Sequence, residues 1–284
     1  VGQGDALLER HPLSAHDGTT TRAVILARGL GTRMRKADDG AELDAAQSAA
    51  ADTGVKGMIP IGRPFLDYLV SALADAGYSD VCLVIGPEHD IVREHFAAAA
   101  PSRVRVHFAV QPSPRGTADA VLAAESFAGE EPFVVINSDN YYGIAPLRAL
   151  HERRTPATIA FDRDALVRLG NVPPERVERF GALEIDDTGA LRRIHARPTD
   201  AMRAAGPLYA SLNCWLFDAA IFDACRTVPL SARGESELPQ AVQRAIDGGM
   251  RVEAVRLAEP VLDMSSRADI ASVAERLRDV RVVL

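Results

Sequence analysis

The sequence predicts an α/β protein in which a mixed, mostly parallel sheet is flanked by helices. Three observations predict it. Short, continuous apolar runs of strand length recur along the chain, as strands buried on both faces of a parallel sheet require. Stretches with a 3.6-residue apolar period lie between those runs. Glycine and proline punctuate the boundaries between the two kinds of segment.

The first apolar run is Ala23-Val24-Ile25-Leu26-Ala27. A glycine-rich turn follows, and then residues 37–54, rich in Ala and Asp and poor in large apolar groups. That composition reads as a mobile loop, although its alanines also suit a short helix over 43–51. Between Pro64 and Ala76 the apolar positions Phe65, Leu66, Leu69, Val70, Leu73 and Ala76 repeat as a helix face, with Pro at the start and Gly77 at the stop. Val81–Ile85 is the next strand, Asp90–Ala99 a helix, Val104–Val110 an alternating strand, Ala118–Ser126 a helix and Phe133–Ile136 a buried strand. Such alternation implies βαβ crossovers, a Rossmann-like sheet, and ligands collected at the carboxyl ends of its strands.

Beyond Asp139 the rhythm changes. Thr158–Phe161, Gly181–Ile185 and Leu191–His195 are short strands, the last two joined by the hairpin-prone turn Asp186-Asp187-Thr188-Gly189. They predict a small antiparallel substrate lobe, embedded at about residues 155–235. Leu208–Leu216 reads as one strand, Leu238–Asp247 as a helix ending at Gly248-Gly249, Val252–Leu257 as a strand and Arg267–Leu277 as a closing helix. Residues 1–22 lack a clear period and predict a flexible N-terminal tail ahead of a single domain over 23–284.

The chain has 284 residues, 47% hydrophobic and 25% charged, with 32 Lys plus Arg against 39 Asp plus Glu. A net charge of -7 argues against a general nucleic-acid or anionic-membrane binder and leaves a small molecule as the expected partner. The cysteines, Cys82, Cys214 and Cys225, form no CxxC pair, so neither a disulfide framework nor a zinc site is indicated. No spanning apolar stretch or signal-peptide order is present, which predicts a cytoplasmic location.

The chemistry-bearing residues follow the strands. Arg28-Gly29-Leu30-Gly31-Thr32-Arg33 comes directly after the first strand, where two glycines let backbone amides approach phosphate oxygens and Arg33 adds charge. Met34 occupies the third glycine position of the dinucleotide fingerprint, which disfavours a nicotinamide cofactor, and no Gly-Lys-Ser/Thr is present. Lys56 precedes the apolar turn Met58-Ile59-Pro60-Ile61-Gly62. Gln111 opens a loop ending at Gly116-Thr117, with an amide suited to a nucleobase edge and a glycine permitting close approach; the same loop also serves as a cap for the next helix. Asp139 stands just past a buried strand, where a carboxylate can hold a hard cation.

In this order and register the motifs resemble the sugar-1-phosphate nucleotidylyltransferase family, whose pattern is a strand, Gly-x-Gly-Thr-Arg, then a lysine before a Leu-Pro-Val-Gly-like turn. The segment Gln111 to Val121 resembles that family's base-reading stretch, and Val261-Leu262-Asp263-Met264-Ser265-Ser266 its second acidic site, with Ser265-Ser266 where Gly-Thr is usual. The likeness extends from about Ala23 to Leu277. Gly181-Ala182-Leu183-Glu184 resembles the strand bordering the sugar, and Leu212-Asn213-Cys214-Trp215 a later sugar-facing strand. His195-Ala196-Arg197-Pro198 sits where many members have Glu-Lys-Pro, so Ala196 lacks the usual carboxylate and Arg197 keeps the charge.

The resemblance implies transfer of a nucleotidyl group from a nucleoside triphosphate to a sugar or pseudo-sugar 1-phosphate, with pyrophosphate released. It implies that Ala27, Gly29, Gly31 and Thr32 cradle the triphosphate, with Gln111, Gly116 and Thr117 at the base. Arg33 and Lys56 would carry the catalytic charge, and Asp139 and Asp263 would hold Mg²⁺. Gly181, Glu184, Arg197 and Asn213 would meet the sugar phosphate. UTP or dTTP is the favoured donor, and a homo-oligomer is compatible with the reading. Local alternatives stand beside these roles: Asp263 as a helix cap, Asn213 as a core amide, and Arg28 as either a triphosphate contact or a surface charge. A regulatory protein that binds nucleotide sugars without turnover is the other class; a related glycosyltransferase is disfavoured because Asn140-Tyr141 follows Asp139 in place of Asp-x-Asp.

Overall fold

The computed structural model describes residues 19–284 apart from 37, 39 and 42. Its strands are β1 (Arg22–Leu26), β2 (Asp80–Ile85), β3 (Arg105–Val110), β4 (Phe133–Asn137), β5 (Asn140–Tyr141), β6 (Ala157–Asp162), β7 (Gly181–Ile185), β8 (Leu191–His195), β9 (Tyr209–Ser211), β10 (Trp215–Phe217), β11 (Glu253–Leu257) and β12 (Leu262–Asp263). All but β5 and β12 form one ten-stranded sheet ordered β3-β2-β1-β4-β10-β6-β9-β7-β8, with β11 also paired to β6. The half from β3 to β4 is parallel. Antiparallel β10 joins β4 to β6, and the β9-β7-β8 lobe is antiparallel throughout.

Alternation along β1 shows why the sheet is covered on both faces. Ala23 and Ile25 enter one apolar layer, Val24 and Leu26 the other. The first layer packs under α1 (Thr32–Arg35), α2 (Ala45–Thr53), α3 (Phe65–Ala76) and α4 (Asp90–Ala99). In α3, Leu66, Leu69 and Leu73 are fully buried, each such burial contributing about 2 kcal/mol, and Gly77 at φ 110° terminates the helix through its N–H to Leu73 and Ala74 carbonyls. The opposite layer carries α5 (Thr117–Ala123), followed by the short α6 (Glu125–Ala128).

The second half of the chain contributes to both layers. Leu147 and Leu150 of α7 (Ile144–His151) and Leu166 of α8 (Arg163–Leu169) join the first layer, and the short α9 (Pro174–Val177) adds Val177. Exposed α10 (Asp200–Ala205) buries no residue. Both α11 (Ile221–Thr227) and α12 (Leu238–Asp247) pack with α5 in the second layer, while α13 (Asp269–Leu277) returns to the first. Among the described residues no helix is long and apolar enough to cross a membrane.

Several expectations change. Residues 1–18 of the expected tail lie outside the described residues, while Thr20 is buried, its N–H and hydroxyl donating to the His151 and Arg153 carbonyls, and β1 already begins at Arg22. The segment 37–54, read first as a loop, carries α2. Its start is a capping box that composition alone does not reveal: Asp44 accepts from the Gln47 N–H at 2.7 Å and Gln47 accepts from the Asp44 N–H at 3.2 Å. Leu208–Leu216 is two strands, β9 and β10, because Asn213 adopts a left-handed φ of 53° and breaks the run. The hairpin between β7 and β8 forms as expected, and Asp186 holds it by accepting from the Thr188 N–H, the Thr188 hydroxyl and the Ala190 N–H.

Candidate active site

At the carboxyl ends of the parallel strands lies a compact cavity of about 420 Å³. Ala27, Gly29, Gly31, Thr32, Arg33, Lys56, Gln111, Gly116, Thr117, Asp139 and Asn213 line it together. Residues from β1, the turn before α3, the end of β3 and the end of β4 therefore converge although more than a hundred positions separate the first from Asp139. This is the placement that the open α/β sheet dictates.

The glycines do different work. A methyl at Gly29 would meet nothing within 4 Å, so its backbone faces open cavity. Gly31 has φ 59°, and a methyl there would lie 2.2 Å from the Gly54 carbonyl oxygen. Only glycine fits that contact, and it docks the first loop against the end of α2, two residues before Lys56. Gly116, with φ 112°, is equally crowded: a methyl would lie 2.4 Å from the Ser236 carbonyl oxygen, whose partner is the Ala118 N–H at 2.9 Å. Its glycine therefore serves the approach of the chain at 236, which Thr117 also fixes by accepting from the Leu238 N–H.

Lys56 donates to Asp139 at 2.8 Å, both side chains being largely but not wholly buried. Arg33 is exposed at the cavity and makes no hydrogen bond or ion pair among the described residues. Gln111 is buried and turns both amide hydrogens inward, to the Gly116 carbonyl at 3.1 Å and the Asp119 carboxylate at 2.7 Å. What it has left for a ligand is its acceptor oxygen. Arg28 is neither a surface charge nor a free cation: it is buried, pairs with Glu88 at 2.8 Å and donates to the Gln111 carbonyl.

Asp263 lines neither this cavity nor the one beside it. Pairing of β5 with β12 sets it opposite Asn140, and the Met264 N–H donates to the Asp139 carbonyl. Its carboxylate accepts from Arg176 at 2.8 Å, from the Ser265 hydroxyl and from Asn140. Arg176 also reaches Asp269, which caps the Ser265-Ser266 turn. Asp263 does not cap α13, which has no side-chain cap at its start, and Ser265 takes up the Asp263 oxygens where a glycine would have left them open. Burial and then the nearby Asp139 charge push the Asp263 carboxyl above the usual carboxylate range.

Among the described residues no group of three or more His, Cys, Asp or Glu side chains gathers as a metal site. Two mutually repelling carboxylates still suit a hard divalent cation, since Mg²⁺ keeps several waters and takes only one or two protein carboxylates. Of the pair, Asp139 faces the cavity.

An amide string links this centre to the lobe. Trp215 Nε1 donates to Asn213 Oδ1 at 3.2 Å, Asn213 to Asn137 at 3.3 Å, Asn137 to Asn140 at 3.2 Å and Asn140 to Asp263 at 3.1 Å. Asn213 also lines a second, larger cavity of about 1290 Å³, shared with Gly181, Arg197 and Arg179 and closed on its far side by α12. Glu184 is absent from that wall and instead meets His195, 2.8 Å away. Residues that the sequence did not single out are Arg179, Arg233 and Glu235, the last on the compact cavity. The short run Ser231-Ala232-Arg233-Gly234-Glu235, with Gly234 at φ 75°, was the available signal.

A glycine-walled pocket over parallel strand ends, carrying a lysine-carboxylate pair and an unpaired guanidinium, has the chemistry of a phosphate-ester site. The family model described as nucleotidyl transferase matches residues 51–261, and the chain belongs to that family. Among its relatives, glucose-1-phosphate thymidylyltransferase of Streptomyces antibioticus is 29% identical over 256 residues, which cover 89% of this chain and 65% of that protein. The chain thus spans just under two thirds of that relative's length. UTP–glucose-1-phosphate uridylyltransferase AglF of Haloferax volcanii is 26% identical, with 91% of this chain and 97% of that protein covered. In fold, the chain is similar to a UDP-glucose pyrophosphorylase solved with UDP-glucose, with a TM-score of 0.70 at 18% identity and coverage of 92% and 100%. It is also similar to the inositol-1-phosphate CTP transferase of T. maritima, with a TM-score of 0.69 at 17% identity and coverage of 94% and 99%.

Proposed function

We propose that the chain is a sugar-1-phosphate nucleotidylyltransferase, joining a nucleoside triphosphate, UTP or dTTP, to a sugar or pseudo-sugar 1-phosphate. The supporting observation is the single compact cavity that gathers Arg33, Lys56 and Asp139 with the glycine loop and meets a larger cavity at Asn213. In this reading an oxygen of the acceptor phosphate attacks the α-phosphorus, a new phosphorus-oxygen bond forms, and the bond to pyrophosphate breaks. The acceptor phosphate is already anionic, so no general base is needed.

Gly29, Gly31 and the residues beside them cradle the triphosphate, and Arg33 neutralises its outer phosphates. Lys56 exchanges its bond with Asp139 for charge on the α-phosphate as that charge develops. The buried Gln111 offers its oxygen to the base edge, an acceptor that suits the N–H of uracil or thymine. Asp139, with Asp263 behind it, would hold Mg²⁺, which supplies positive charge against the reacting phosphates when bound. Relatives named glucose-1-phosphate thymidylyltransferase and UTP–glucose-1-phosphate uridylyltransferase support this donor and acceptor class.

A matrix of nucleoside triphosphates against sugar 1-phosphates with Mg²⁺, scored by pyrophosphate release, tests the reading. Release with a pyrimidine triphosphate and one acceptor class is expected. A matrix silent throughout, with nucleotide binding retained, would replace the enzyme by a nucleotide-sugar sensor.

A further inference from the structure

The larger cavity holds more positive charge than one acceptor phosphate requires. Arg179, His195, Arg197, Arg233 and Arg244 line it, against the carboxylates of Glu237 and Asp247. Three of these bases are engaged: Arg233 pairs with Glu237 at 2.9 Å, Arg244 donates to the Thr227 hydroxyl at 2.9 Å, and His195 meets Glu184 at 2.8 Å. The other two, Arg179 and Arg197, are exposed, and their guanidiniums make no hydrogen bond or ion pair among the described residues.

Topology puts these two guanidiniums at one end of the lobe. In the β7-β8 hairpin Ala182 faces His195, so the residues just before β7 and just after β8 emerge side by side. β9 is paired to β7 with Gly181 opposite Ser211, which brings that same end to Asn213 and the seam between the cavities. Arg33, a guanidinium with no partner among the described residues, lines the other cavity, so in the transfer reading the outer phosphates of the donor are served without Arg179. With Arg197 assigned to the acceptor's 1-phosphate, Arg179 is left with no partner. An unpaired guanidinium in a cavity wall is a fork for a carboxylate or a phosphate.

We infer that the acceptor carries a second anionic group, a carboxylate or a further phosphate, and that Arg179 selects it. This rests on the transfer reading above and narrows its substrate class. A neutral hexose 1-phosphate would leave Arg179 unmatched, whereas a uronic acid 1-phosphate or a sugar bisphosphate would meet it through charge-assisted hydrogen bonds.

Titration calorimetry on the full chain with glucose 1-phosphate, glucuronate 1-phosphate and glucose 1,6-bisphosphate tests it without requiring turnover. At least one acidic ligand should bind about tenfold more tightly than glucose 1-phosphate, and which one does so tells carboxylate from phosphate. Arg179→Gln should reduce that ratio to about threefold or less at unchanged melting temperature. Equal or weaker binding of both acidic ligands, or a proportional loss for all three in Arg179→Gln, would overturn the inference. Pyrophosphate release, measured in parallel, separates the two readings. Acidic preference in binding with no release from any acceptor sinks the transfer reading alone, and release from glucose 1-phosphate with no acidic preference sinks this one alone.

Discussion

The compact cavity is walled largely by glycines, strand ends and one lysine-carboxylate pair of the parallel half, whereas the larger cavity beside it is walled by long side chains from the antiparallel lobe and α12. In the proposed reading, fixed backbone would present its amides to the triphosphate. Long, exposed side chains at hairpin ends can differ without disturbing the sheet, so they suit a variable acceptor. The difference teaches what shapes each wall: close backbone contacts such as Gly31 on Gly54 in the first, and long side chains such as Arg179 and Arg197 in the second.

The sharpest way to break this contrast is Lys56→Met, which should lower turnover by at least about a hundredfold with the fold retained. Near-normal pyrophosphate release would remove Lys56 from the chemistry. Next in size is Arg176→Met, which strands the buried Asp263 and Asp269 carboxylates without their shared guanidinium. A stability loss of about 3 kcal/mol in urea unfolding is expected. Little change would mean that the clamp is worth no more than a surface pair. Gly31→Ala should cost about 2 kcal/mol, through left-handed strain and collision with Gly54, and should weaken nucleotide binding as well. If nucleotide affinity survives that substitution, the backbone does not shape the compact cavity.

Smaller effects probe the surroundings. Burial pushes the thiols of Cys82 and Cys225 up to about 12 and raises that of Cys214 as well, so all three should resist alkylation at pH 8 until the protein is denatured. Rapid labelling of the native protein would show that one of the layers opens. Burial lowers the pKa of His89 below 6.5, against the opposing pull of Glu88. The unfolded chain then binds a proton that the folded one refuses, so this contribution to stability is full above pH 6.5 and is lost as the pH falls toward the depressed value. His89→Gln should flatten the unfolding midpoint across that window; an unchanged slope would assign the pH dependence elsewhere.

What was legible in the sequence follows the same division. The parallel half reads almost directly, because buried strands and amphipathic helices leave strong local patterns: Asp90–Ala99 matches its expected bounds, and β1, β2 and β4 differ by a residue. The glycine loop, Lys56 and Asp139 were placed by their order along the chain, and one cavity unites them. Elsewhere the determinants are not local. The Asn213 break depends on a backbone conformation that an apolar run hides, and the Asp263 environment depends on Arg176, 87 residues away in the chain. Arg179 belongs to a short stretch with no period, so nothing adjacent marks it as part of a wall.

The amide string from Trp215 to Asp263 has a consequence for how this protein ages. An indole N–H only donates and an ionised carboxylate only accepts, so each intervening asparagine is locked in one orientation. Hydrolytic loss of ammonia from Asn140 would exchange its donor nitrogen for a second oxygen and set a carboxylate directly against Asp263. At Asn137 or Asn213 the same change would place oxygen facing oxygen along the string. A preparation stored long enough to deamidate should therefore lose its centre while its helices and sheet persist, and a mass gain at these peptides should track the decay.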